Sequence, residues 1–218
     1  MREIPDPLME LRKKILHLRR SDPILKKVID RIPPPDHAWH AKPGTNHFRS
    51  LVIAIVNQQL SGKAAATILK RFIALFPRKK FPTPKDVLAM PTAKMRKAGL
   101  SKMKVAFLKD LSKKILDRTV DFRKMSSWTD EEVIEHLVRV KGIGRWTAEM
   151  FLMFSLVRDD VFSYGDLGLR NAMQKLYGLK KHPTPAQAEK ITLKWKPYRS
   201  LASRYLWASV DTKNAAKK

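Results

Sequence analysis

Gly142-Ile143-Gly144-Arg145-Trp146-Thr147-Ala148 and the lone acid of Tyr164-Gly165-Asp166-Leu167-Gly168-Leu169-Arg170 are the residues of this chain best suited to chemistry on a polyanion. Two glycines around Ile143 let the backbone turn tightly and approach a ligand with no Cβ in the way. A helix starting near Arg145 aims its unbonded N–H groups at the same place, which suits a phosphate. Lys141, Arg145 and Thr147 add two cations and a hydroxyl around that turn. Asp166 precedes an apolar run, where Asp is most often a helix N-cap. The same carboxylate, kept ionised by a helix N-terminus, can also stabilise a developing cation, and the two roles are compatible.

The elements that must position these groups read as helices. Val133, Ile134, Leu137 and Val140 give the segment before the glycines an apolar face, and Thr129 with Glu132 three positions on reads as a capping box. Ala148 to Val157 is apolar enough for a buried helix and ends at Arg158-Asp159-Asp160. The pattern is helix, hairpin, helix. Pro following a polar cap marks further starts at Asp22-Pro23, Thr83-Pro84 and Thr184-Pro185. Helices are expected near residues 6–19, 23–31, 46–58, 62–76, 84–89, 92–98, 102–117, 130–139, 145–157, 167–176, 185–195 and 199–210, an all-α fold. Ile32-Pro33-Pro34-Pro35-Asp36 breaks the chain and separates a basic helical arm, 1–35, from a domain over 36–218.

Composition narrows the partners. A formal charge of +25 over 218 residues, with a pI near 10.4, favours nucleic acid or an anionic membrane. The membrane is disfavoured, since no run of about 18 apolar residues exists and Met1-Arg2-Glu3-Ile4-Pro5-Asp6 lacks the apolar core of a signal peptide. With no targeting signal, the expected location is a bacterial cytoplasm, at the nucleoid, or a eukaryotic nucleus. Zero cysteines remove disulfides, thiol nucleophiles and iron–sulfur ligation. His37, His40 and His47 follow no metal-ligand spacing and are expected as solvated loop residues. The basic tracts Arg78-Lys79-Lys80, Lys102-Met103-Lys104 and Lys180-Lys181 read as solvated faces, some of which should line a nucleic-acid surface.

The hairpin sequence, the Asp166 that follows it, Ile55-Val56-Asn57-Gln58-Gln59-Leu60-Ser61, Asp160-Val161-Phe162 and Trp195-Lys196-Pro197-Tyr198-Arg199-Ser200 occur in an order that resembles the helix-hairpin-helix DNA glycosylase superfamily. Within it, the chain is most similar to the alkylated-base branch, DNA-3-methyladenine glycosylase II. The resemblance spans roughly residues 45 to 210. It implies a two-lobed helical fold with a DNA-binding cleft between the lobes and no N-terminal β domain. Helices 62–76, 102–117 and 130–139 would form one lobe, and the N- and C-terminal helices the other.

The resemblance also implies roles that the residues alone leave open. Gln58, Gln59 and Leu60 read by themselves as an ordinary turn; the family has a DNA wedge there. Trp146, Trp207 and Tyr164 read by themselves as core aromatics; the resemblance implies a base pocket at the two tryptophans, with Tyr164, two residues before the catalytic carboxylate Asp166, expected to join it. Gly142, Ile143 and Gly144, with Lys141, Arg145 and Thr147, would bind DNA phosphate. The main-chain carbonyls of Val138, Val140 and Gly142 would hold a monovalent cation, Na+ or K+, with no cofactor required. Members that nick the backbone place a nucleophilic Lys where this chain has Trp146, and an amine is indispensable to that chemistry. The expectation is therefore a monomeric, monofunctional hydrolase acting on double-stranded DNA with alkylated bases such as 3-methyladenine or 7-methylguanine. Two alternatives stand beside it: a non-catalytic helix-hairpin-helix DNA clamp, and a glycosylase for deaminated bases such as hypoxanthine.

Overall fold

The computed structural model describes residues 6–33 and 46–215, and among these the chain forms twelve α-helices with short 3-10 turns and no strand. His37 and His40 lie outside the described residues. By contacts the chain divides into two compact units, Lys42–Leu156 and Met1–Ala41 with Val157–Lys218.

The first unit contains α3 (His47–Asn57), α4 (Gly62–Ala74), α5 (Pro84–Ala89), α6 (Thr92–Lys97), α7 (Lys102–Leu116), α8 (Asp130–Leu137) and α9 (Arg145–Phe154). Its centre is α3, whose Phe48, Leu51, Val52, Ile55 and Val56 recur at helical spacing and are buried against α4, α7 and α9. Fully burying each such side chain is worth about 1.5–3 kcal/mol. Asn46 caps the start of α3 by accepting the Arg49 N–H at 2.9 Å. The other end is closed by a cation: Lys104 Nζ donates to the Val56 and Gln58 carbonyls at 2.7 Å each. Burial lowers the pKa of that ammonium. Lys104, read in the sequence as part of a solvated tract, is thus a helix cap. The capping box at α8 forms as expected, with Thr129 N–H donating to Glu132 at 2.7 Å.

Two expectations in this unit are corrected. The helix read over 145–157 stops at Phe154, and Val157 takes a left-handed φ of 56° that no helix accommodates. His47 is not a solvated loop residue: it opens α3, its Nδ1 lies 2.9 Å from Ser155 Oγ, and its ring packs on Phe122 and Phe151. Burial there lowers its pKa.

The second unit joins α1 (Pro7–Ser21) and α2 (Pro23–Ile29) to α10 (Leu167–Leu176), α11 (Pro185–Thr192) and α12 (Arg199–Ala215). Leu18, Leu25, Val28, Leu169, Met173, Trp195, Tyr205 and Leu206 share one apolar core, so α1 and α2 are built into this unit. At its centre sits a carboxylate. Asp22, with no exposed surface, accepts the Ile24 and Leu25 amides at 2.9 and 3.2 Å as the cap of α2. It also accepts the Trp195 indole N–H at 2.8 Å, the Tyr177 hydroxyl, and an ion pair from Lys194 at 3.1 Å. Burial opposes charge on Asp22, yet the bonds from Tyr177, Trp195, the Leu25 amide and Lys194 overcome it and hold the carboxyl below its ordinary value.

Replacing Asp22 with Asn should lower stability by about 2–3 kcal/mol, the scale of charge-assisted bonds lost from a buried acceptor. Because the folded-state pKa lies below the ordinary 3.8, this stabilisation is complete above that pH and disappears as the pH falls through the folded value. Urea melts of both proteins across pH 2 to 7 should show the difference shrinking only at the acid end; a constant difference would refute the charge as its source.

Candidate functional site

In the first unit, α8 and α9 are joined by a hairpin that several side chains hold in place. The Ile143 amide donates to the Val140 carbonyl at 3.0 Å, and the buried Ile143 side chain anchors the turn. Gly142 has φ +83°, and a Cβ there would meet the Phe107 ring at 2.2 Å. Both the backbone conformation and the aromatic floor therefore demand glycine at 142. From α7, Asp110 Oδ2 accepts the Lys141 amide at 2.8 Å and pairs with Lys114 at 2.8 Å, while Lys114 also donates to the Arg139 carbonyl. Burial works against charge on Asp110, and the bonds from Lys114 and the Lys141 amide outweigh it, keeping the carboxyl low.

The surface this hairpin offers differs in part from the expectation. Gly144 caps α9 with extended φ and ψ, offers no side chain of its own to the first-turn amides, and has no neighbouring atom within 4 Å of a notional Cβ. That leaves room for an oxygen anion at the amides. Arg145, expected on phosphate, is instead a staple between α8 and α9. Its guanidinium meets Glu131 at 2.7 and 2.8 Å and Glu149 at 3.1 Å, which lowers the Glu131 pKa and raises that of Arg145. The Thr147 side chain is buried, so a phosphate role there falls to its amide. The Ile143 and Lys141 amides serve the fold, while the Lys141 side chain is exposed.

The turn after α3 sits beside this hairpin. Gln58 donates its side-chain amide to the Gly142 carbonyl at 2.8 Å, which fixes it as a tie between turn and hairpin and removes it from the wedge. Gln59 takes a left-handed φ of 55° and is exposed, and Leu60 keeps 37% of its surface exposed. A strained, Lys104-capped turn that presents an aliphatic side chain to solvent suits insertion between bases. Trp146, in the first turn of α9, is 48% exposed, which excludes core packing as its role.

In the second unit Asp166 caps α10. One oxygen, Oδ1, accepts the Leu169 amide at 2.8 Å and the Trp207 indole N–H at 2.9 Å. Only 9% of the residue is exposed. Gly168 makes this arrangement possible, because a Cβ there would lie 3.0 Å from the Trp207 ring and 3.1 Å from Asp166 Oδ1. The segment that delivers Asp166 is fastened to the start of α12: Arg199 grips Asp160 at 2.7 and 3.0 Å, and Ser200 Oγ accepts the Val161 amide at 3.0 Å. These bonds join the Asp160-Val161-Phe162 motif to the Tyr198-Arg199-Ser200 motif. Tyr164 is a correction: it packs edge-on against Phe162 and its hydroxyl lies 3.5 Å from Thr192 Oγ1, so it belongs to the core rather than to a base pocket.

Gly168, Phe107, Asp110 and Lys104 escape sequence reading. Only Gly168 leaves a signal, a glycine inside a helix with no turn to explain it, which points to close packing. The acids and cations do not announce which backbone group they serve. No cluster of His, Cys, Asp and Glu able to hold a metal occurs among the described residues.

A helix-hairpin-helix in one unit and a helix-capping aspartate backed by an indole in the other define a class of DNA-repair fold. The chain belongs to the HhH-GPD superfamily of base excision DNA repair proteins, whose sequence signature matches residues 52–198. It is 34% identical over 200 residues, 90% of this chain and 86% of the other, to DNA-3-methyladenine glycosylase 1 of Schizosaccharomyces pombe. The solved structure of the S. pombe 3-methyladenine DNA glycosylase Mag1 in complex with abasic DNA superposes with a TM-score of 0.79 at 34% identity, over 89% of this chain and 95% of that one. A DNA-3-methyladenine glycosidase from Bacillus halodurans gives the same TM-score of 0.79 at 34% identity, over 93% and 91%.

Two substitutions check the geometry. Gly142→Ala should destabilise the protein by about 2–4 kcal/mol through left-handed strain and the clash with Phe107. Adding Phe107→Ala should relieve only the clash in a denaturant melt; complete rescue would mean the φ carries no strain. Gly168→Ala should displace the Trp207 indole, read as movement of its N–H resonance toward the solvent-exposed position, matching the shift in Asp166→Ala. An unmoved resonance would show that the Asp166 contact does not depend on Gly168.

Proposed function

We propose that the protein is a monofunctional DNA glycosylase that flips alkylated purines, of the 3-methyladenine and 7-methylguanine type, out of duplex DNA. It hydrolyses the N-glycosidic bond and leaves an abasic site, the first step of base excision repair. The observation that carries this reading is the Asp166 carboxylate fixed by the Leu169 amide and the Trp207 indole at the start of α10. The positive end of the helix dipole favours an anion at that position. The carboxylate is suited to stabilise the oxocarbenium-like sugar that forms as the base departs, and to orient or deprotonate the attacking water.

Alkylation at a ring nitrogen makes the purine cationic, hence a good leaving group that needs no strong general acid. Trp146 and Trp207 supply the electron-rich faces such a base prefers, worth about 0.5–2 kcal/mol for a cation over an indole. Extruding the nucleotide costs about a few kcal/mol, and Gln59 and Leu60 fill the gap it leaves. The Gly142 and Gly144 turn with the first-turn amides of α9 receives a backbone phosphate. The carbonyls of Val138, Val140 and Gly142 would hold a Na+ or K+, whose charge would favour an anion at the hairpin. Neutral carbonyl donors suit a monovalent ion, and although Val140 and Gly142 each already accept one hydrogen bond, a second lone pair remains on each. Trp146 in place of an amine leaves backbone nicking without a nucleophile at that point. The protein acts as a monomer, and no helix among the described residues is long and apolar enough to cross a membrane.

The test is release of free base from methylated duplex DNA by the wild type and by Asp166→Asn, with DNA binding measured in parallel at fixed salt and a borohydride quench on both. Excision should fall by about two orders of magnitude or more in the variant with binding retained, and no protein–DNA adduct should be trapped. Binding without excision in both proteins would make the chain a DNA clamp, and efficient trapping would make it a lyase.

A further inference from the structure

The second unit carries a cavity of about 290 Å³ that belongs to neither Asp166 nor the hairpin. It opens where α2, the end of α10 and α12 meet. Ile24, Ile32 and Leu176 supply aliphatic surface, and Lys27, Arg31 and Lys175 stand around it. No carboxylate lines it among the described residues. The nearest acid in sequence, Asp30, is occupied by Lys26 at 2.7 Å and Arg19 at 2.9 Å. Lys175 lies nine residues beyond Asp166 along α10, roughly 13 Å at the helical rise, so the cavity sits at the far end of that helix from the carboxylate.

We propose that this cavity docks a short acidic segment of a partner protein, with one or two bulky apolar side chains seated on Ile24, Ile32 and Leu176 and carboxylates facing Lys27, Arg31 and Lys175. Charge complementarity selects the occupant. Lys27 stands on α2, Arg31 in the turn that follows it, and Lys175 on another helix. Three separated cations match several carboxylates distributed along a chain, where a single-headed fatty anion would satisfy one. A DNA backbone supplies anions but nothing to cover the aliphatic surface, whose burial is worth about 25 cal/mol per Å². Apolar anchors inside a polar rim are the usual division of labour at a peptide-binding groove, the anchors giving affinity and the rim charges steering encounter.

The test uses fluorescence anisotropy of a fluorescein-labelled peptide of repeating Glu-Glu-Leu-Phe, and of a control with Ser in place of Leu and Phe, on the full chain. The Leu-Phe peptide should bind saturably and the Ser peptide about tenfold more weakly or worse. Lys27→Glu with Lys175→Glu should weaken the Leu-Phe peptide about tenfold. Lys94→Glu with Lys97→Glu, exposed lysines of the other unit that change net charge equally, should alter it by less than about twofold. Melting curves confirm that each variant is folded. Absence of saturable binding, equal weakening by both charge-reversed pairs, or equal affinity for the two peptides would each overturn the proposal. So would loss of affinity for undamaged duplex DNA in the Lys27 and Lys175 pair without peptide binding by the wild type, which would give the cavity to DNA.

Discussion

A carboxylate inside a helical protein needs fixed donors, and the unit that carries α10 and α12 meets that need twice with the same parts. Asp22 and Asp166 each cap a helix, and each accepts an indole N–H, from Trp195 and Trp207 respectively. The cap supplies amides that cannot rotate away, and the helix N-terminus adds favourable potential. The indole adds a donor with no acceptor of its own, so it cannot reorganise to bond elsewhere. The two sites diverge in what surrounds them. Asp22 is sealed, with Tyr177 and Lys194 completing its shell, and its charge does structural work. Asp166 keeps a small exposed fraction at the first turn of its helix, with glycine at 168 holding back the bulk that would push the indole off. One local solution thus serves the core in one place and, in the proposed reading, chemistry in the other.

The hairpin shows the complementary strategy, in which the fold satisfies some backbone groups so that others stay available. Asp110 takes the Lys141 amide, Val140 takes the Ile143 amide, and Gln58 and Lys114 cover the Gly142 and Arg139 carbonyls. Each of these bonds adds only about 0.5–1.5 kcal/mol net. Their joint effect is to leave a turn with a single shape, and preorganised donors lose nothing to reorganisation when an anion arrives. Arg145 fits this logic as well. Clasped by Glu131 and Glu149, it staples α8 to α9.

Helix positions were legible in the sequence because their causes are local. Pro23, Pro84 and Pro185 follow polar caps that do bond to the first turn, and Thr129 with Glu132 forms its box. The capping role of Asp166 was legible for the same reason, and the demand for glycine at 142 followed from the turn. Arg145, Gln58 and Tyr164 were not, because their partners lie on other elements: Glu131 on α8, the Gly142 carbonyl, Thr192 at the end of α11. A side chain's type states what it can bond to, and only tertiary packing decides which of the candidates is in reach. Lys104 illustrates the point, since nothing in Lys102-Met103-Lys104 distinguishes the lysine that caps α3 from its neighbour.

The charge surplus survives all of this pairing, and that bears on how the protein meets DNA. Lysine and arginine total 45 against 20 acidic residues, so even complete pairing of every acid leaves a net charge of +25. Pairing changes where the positive potential is strongest without changing its sum. Arg145, Arg199, Lys114 and Lys194 are committed to carboxylates of the fold, so close phosphate contacts fall to other cations and to backbone amides. At physiological salt an exposed charge acts over a screening length of about 8 Å. The surplus therefore draws the chain to any nucleic acid by counterion release without regard to sequence or damage. Discrimination cannot come from that term. In the proposed reading it comes from groups that act once a base has left the stack, Asp166 and Trp207 among them, which the fold holds by short-range bonds.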